Sequence, residues 1–133
     1  MSQDQNGESV SPPNVSEKDV LPIDSDSESL DAIFRALSDH RRRCICHYLA
    51  QEGGPMPVDE LAELLAASMT EKTRAVLTSA EIEKTRTELH RMHLPKLTEV
   101  GVVVHDADAD TVRLADSPGV AECLRAAADV DLR

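Results

Sequence analysis

From residue 29 onward the chain alternates short apolar rhythms with polar or glycine–proline breaks. Leu30, Ile33, Phe34 and Leu37 recur at i, i+3, i+4 and i+7, which predicts a first amphipathic helix. Ser38-Asp39 breaks the chain and offers a cap for a second helix, whose apolar side is Ile45, Tyr48 and Leu49 and which Gly53-Gly54-Pro55 ends. Val58, Leu61, Ala62 and Leu65 give a third, short helix. Residues 67–78 show no clean period and read either as a loop or as a frayed helical extension. Thr78 followed by Glu81 three residues on is a capping box. It opens a longer helix with Ile82, Leu89, Met92, Leu97 and Val100 inward, kinked or re-turned at Pro95 and stopped at Gly101. The runs 102–105 and 111–114 are rich in β-branched residues, and the five residues between them make a hairpin. Ser117-Pro118 then caps a last helix with Val120, Cys123, Leu124 and Ala127 on its apolar side. The order predicts a mainly α fold with a small β-hairpin, a winged helix-turn-helix.

Residues 1–28 differ in kind. They are polar, hold Pro12, Pro13 and Pro22, and carry seven acids against one lysine. Such a segment buries too little apolar surface to offset its ordering entropy, so a disordered acidic tail over 1–28 and a winged-helix domain over 29–133 are expected. No apolar run approaches the roughly 18 residues of a membrane span, and the N-terminus lacks the basic and apolar parts of a secretory signal. Cys44, Cys46 and Cys123 are an odd set unlike a secreted disulfide framework. A cytoplasmic protein with no membrane partner follows as the expectation.

Charge changes the picture further. The chain has 25 acidic and 14 basic residues for a net charge of -11, and only Lys18, Lys72, Lys84 and Lys96 among the cations are lysines. An Asp/Glu-rich, Lys-poor surface stays hydrated when salt screens other interactions, and the reading is adaptation to high salt. Residues 35–97 escape the excess, with nine acids and ten basic residues, and they contain the expected reading helices.

Two stretches resemble a known family. Ala36-Leu37-Ser38-Asp39-His40-Arg41-Arg42-Arg43, continuing through Leu49, resembles the opening helix of ArsR-type winged-helix regulators. His93-Leu94-Pro95-Lys96-Leu97-Thr98-Glu99-Val100-Gly101-Val102-Val103 resembles their recognition-helix exit, and its His-Leu-Pro-Lys-Leu form is similar to a winged-helix domain common in haloarchaea. The resemblance covers about residues 29–115. It implies a dimeric, DNA-binding transcriptional regulator, with a histidine at position 93 near the phosphate backbone or packed at the kink. The chain departs from compact ArsR domains in a longer connection before the recognition helix and in an acidic wing.

A helix in the major groove reads base edges with donors and acceptors. Lys84, Thr87, His90 and Arg91 fall on the outward face of the long helix, with His93 and Lys96 of the exit motif following; these six are the expected DNA contacts. Arg41, Arg42 and Arg43 lie where a helix N-terminus disfavours cations, so neighbouring acids are expected to compensate them. Cys44 and Cys46 are two apart on a helix and point away from each other, while His90 and His93 share a face but form a weak pair; no metal site and no cofactor are expected. Asp106, Asp108 and Asp110 imitate the start of a calcium loop but lack its glycine and its final glutamate, and they should repel phosphate from the wing. No phosphate-binding glycine loop, metalloprotease pair or nucleophile elbow is present, so neither an enzyme nor a small-molecule substrate is indicated. The expected function is DNA binding by a homodimer joined through its first and last helices, with double-stranded DNA as partner. The alternative is a protein-interaction module on the same fold.

Overall fold

The computed structural model describes residues 26–132, in a mainly helical fold with one small antiparallel sheet. The expected tail therefore lies largely outside the described residues, and helix α1 (Asp26–Ala36) starts four residues before Leu30, the first residue of its apolar period. Helix α2 (His40–Glu52) is capped by Asp39, whose carboxylate accepts from the backbone N–H of Arg41 and Arg42. It ends at Gly53 in the left-handed region, φ 76°, where the absent Cβ removes the usual steric penalty.

Helix α3 (Val58–Thr70) is longer than its apolar period. Its last turn is fastened to α2 by the Tyr48 hydroxyl, which reaches the Leu64 carbonyl and Ser68 Oγ. Beyond Glu71, which closes the helix with φ 57°, a single 3₁₀ turn spans Arg74–Val76. The ambiguous stretch is thus part helix and part loop.

Helix α4 (Ser79–Glu88) opens with the complete capping box: Glu81 N–H donates to Thr78 Oγ1 and Thr78 N–H to the Glu81 carboxylate. A π-helical turn, Leu89–His93, joins it to α5 (Leu94–Glu99). Pro95 explains that turn. Its ring crowds the carbonyl four residues back and it has no N–H to donate, and the helix accommodates this by widening, with Leu94 N–H donating five residues back to the Leu89 carbonyl. The widened turn holds an extra residue, so the side chains returning to the core after Leu89 are His93 and Leu94. Met92, expected inward on an unbroken helical period, is 43% exposed instead.

Strands β2 (Val103–Asp106) and β3 (Thr111–Leu114) form the hairpin, in register Val103 to Leu114 and Asp106 to Thr111. A third strand, β1 (Met56–Pro57), pairs with β3 and makes the order β1-β3-β2. Pro57 is tolerated there because β1 is an edge and no ladder bond is lost. Helix α6 (Pro118–Asp131) starts on the Ser117 cap, whose Oγ accepts from Val120 N–H.

The core is aliphatic, as a chain with one Phe and one Tyr requires. Ile45, Leu49, Val58, Leu61, Leu65, Leu89, Leu94, Leu97, Val102 and Val112 are all buried between α2, α3, the long helical segment and the sheet. Phe34 is not part of it; it stands half exposed on α1 with Leu30 one turn before it.

Candidate nucleic-acid interface

Helices α3 and α4 are the paired helices of the helix-turn-helix, and the β2–β3 hairpin is the wing. None of the ten residues of α4 is buried. The helix stands on the core instead of in it, with Ile82 half-buried against the core and with polar contacts beside it: Arg86 pairs with Asp59 of α3 at 2.6 Å and with Glu83 at 3.3 Å, and Lys72 pairs with Glu81 at 2.7 Å.

Most cations of the described chain are spent in such pairs. Arg41 and Arg42 both meet Asp39, Arg74 meets Glu63, and Arg125 meets Glu122. Arg43 and His47 converge on the little-exposed side chain of Asp131 of α6, at 2.8 and 3.0 Å. The Arg43 hydrogen bond, joined by that of His47, pulls the Asp131 carboxyl down to about 2. The three arginines at the start of α2 are therefore compensated structurally. Among the described residues, Arg35, Lys84, Arg91, Lys96 and Arg113 have no salt bridge, and three of these five, Lys84, Arg91 and Lys96, lie on the segment 79–99.

The six expected contacts separate on this frame. Lys84 and Arg91 are exposed and Thr87 is half-buried on the same helical segment. Lys96 is exposed in another quarter, lining an open cleft of about 740 Å³ with Arg35 and Arg42 between α1 and α5. His93 is fully buried, so a phosphate contact for it is corrected: the π turn carries its ring into the core. Neither ring nitrogen has a hydrogen-bond partner there, and burial, with Arg41 nearby, holds its pKa below the ordinary histidine value.

His90 turns toward the wing. Its Nε2 lies 3.0 Å from Asp110 Oδ1 and 3.2 Å from Oδ2, and His105 Nε2 of β2 lies 2.9 Å from the same Oδ1. Asp110 adopts the left-handed conformation, φ 52°, which an aspartate tolerates better than most side chains. The hydrogen bond from His90, with that from His105, lowers the Asp110 carboxyl pKa. Asp106 is also engaged, accepting from the backbone N–H of Asp108 and Ala109 across the turn. Two of the three wing carboxylates thus serve the wing's own geometry. The expected sharing of a face by His90 and His93 does not occur; the histidine that joins His90 is His105, whose proximity depends on strand pairing and has no signal in local spacing.

Cys46 is fully buried, and burial pushes its thiol up to about 12, where it is an inert core residue. Cys44 is half-buried, its sulfur 3.5 Å from His40 Nε2.

Residues 34–113 match the family model described as Domain of unknown function (DUF7344). The comparisons with curated proteins and with solved structures give no match. No helix among the described residues is long and apolar enough to cross a membrane.

Proposed function

The chain belongs to the DUF7344 family, and from that premise we propose that it binds double-stranded DNA in sequence-specific fashion as a transcriptional regulator. The observation that carries this reading is the contrast between α4 and every other helix of the fold. It is capped and free of buried residues, and its segment holds Lys84 and Arg91 exposed and without a salt bridge in a molecule whose other cations are mostly neutralised internally. A helix presented in this way fits the major groove, with Lys84, Thr87 and Arg91 as base and phosphate contacts. The likeness of the two motifs to ArsR-type regulators points the same way.

The same reading includes a homodimer. Leu30 and Phe34 on α1, and Val130 with Leu132 at the end of α6, expose large apolar side chains that a second copy would cover. It also includes a cytoplasm of high salt, where counterion release supplies little affinity and base readout and shape fit must supply more. The acidic, lysine-poor composition suits that setting.

One observation favours the alternative of a protein-interaction module: the apolar side chains on α1 would equally suit a different protein. The variant Lys84→Ala/Arg91→Ala separates the two readings. It should lose specific duplex binding by roughly a hundredfold, at about 1–3 kcal/mol per contact, with its fold and self-association unchanged. Unaltered duplex binding by the folded double variant would reject the placement of DNA on this face.

A further inference from the structure

We propose that His90, His105 and Asp110 form a binding site for one divalent transition-metal ion of the zinc class, bridging the recognition segment to the wing. The inference is independent of whether the domain binds DNA, since it stands on the geometry of the three side chains.

One donor atom from each residue lies within 4.8 Å of the others. Nε2 of both histidines approaches the same carboxylate, at 2.9 and 3.0 Å from Oδ1. Around a tetrahedral ion with bonds of about 2.0–2.2 Å, neighbouring donors sit about 3.4 Å apart. A widening of a few tenths of an ångström therefore admits the ion, within the reach of side-chain rotation. The donors come from three places in the chain: the π turn, strand β2 and the residue before β3. His90 and His105 are held by their elements, and Asp110 ends the hairpin turn directly before β3. The side chains are 33%, 21% and 40% exposed, which leaves an approach from solvent and a coordination position for water.

The donor chemistry selects the ion. Two imidazoles with one carboxylate suit zinc, cobalt or nickel, whereas calcium and magnesium require sets made of oxygen. Residues Asp106 and Asp108, the other acids of the calcium-like sequence, do not join: Asp106 is turned into the hairpin by its two backbone bonds. Bound metal would replace the proton-mediated contacts among the three side chains and fasten the wing to the helical segment with two added positive charges.

The test uses the full chain, stripped with chelator and dialysed, then titrated with Co²⁺ by absorbance and with Zn²⁺ by calorimetry. The wild type should take up one equivalent with d–d bands of a nitrogen–oxygen site and no sulfur charge-transfer band. Its melting temperature should rise by on the order of 10 °C at a hundredfold excess of Zn²⁺ over Kd. Asp110→Asn keeps a side chain that tolerates the left-handed backbone, and His90→Gln keeps a polar group of similar reach. Each should remain folded by circular dichroism and bind about a hundredfold more weakly. No saturable uptake by the wild type, a thiolate signature, or wild-type affinity in both folded variants would each overturn the assignment.

Discussion

Two halves of one helical segment, Ser79–Glu88 and Leu89–Glu99, follow each other without a break and are built on opposite terms. The first has no buried residue and is fixed by a capping box and by ion pairs with Asp59 and with Lys72. The second places Leu89, His93, Leu94 and Leu97 in the core. The second half carries the buried core residues, while the first rests on α3 with Ile82 half-buried against the core and turns its other face outward. The π turn is the joint between them, and Pro95 forces it there. Side chains on the outward face of α4 can change at little cost to the fold, because surface changes away from such features are usually worth less than about 0.5 kcal/mol.

The largest effect that would break this comparison is a core truncation. Leu97→Ala should destabilise by about 2–5 kcal/mol in chemical denaturation, while Lys84→Ala on the other half should leave the midpoint nearly unchanged. Equal losses from the two would refute the division.

A smaller and opposite effect is expected at His93. Its buried ring nitrogens have no partners, so His93→Leu, similar in volume, should stabilise by about 1–2 kcal/mol. The pH dependence sharpens this. Burial first, then Arg41, holds the folded-state pKa of His93 below its ordinary value. As pH falls through about 6.5 the unfolded chain binds a proton that the folded one refuses. Stability is therefore full above that value and declines below it. Urea denaturation from pH 8 to pH 5 should show the wild type losing ground relative to His93→Leu; parallel curves would contradict the account of His93.

The smallest effect is at the start of the exposed half. Thr78→Ala removes one side of the capping box and should cost about 1 kcal/mol, read as loss of amide-exchange protection concentrated in α4. Loss spread evenly to α5 would mean the halves are not separable.

The sequence showed most of the fold wherever the signal was local. The Asp39 and Ser117 caps, the Thr78–Glu81 box, the glycines at 53 and 101 and the hairpin are all written within a few residues of where they act. What it hid was non-local or non-periodic. Strand β1 is two residues long, contains a proline, and exists only because β3 lies beside it. The last turn of α3 has no clean apolar period, being held partly by Tyr48 through Ser68. A single extra residue in the π turn exchanged Met92 for His93 at the core, which moved one expected contact out of reach of any ligand. Lys84, Thr87 and Arg91 survive as an accessible set because they lie before or within the turn on the unburied side. The convergence of His90, His105 and Asp110 was out of view because it needs both the turn and the strand register.

The central claim, that the exposed face of this segment, with Lys84 on α4 and Arg91 in the π turn, reads DNA, is tested most directly by selecting bound sequences from random duplex DNA. Roughly 2 M KCl suits the selection because phosphate attraction is then strongly weakened. The account predicts that the wild type enriches one motif, a palindrome if the chain is a dimer, and that Lys84→Ala/Arg91→Ala enriches none. No enrichment by folded wild-type protein would contradict it.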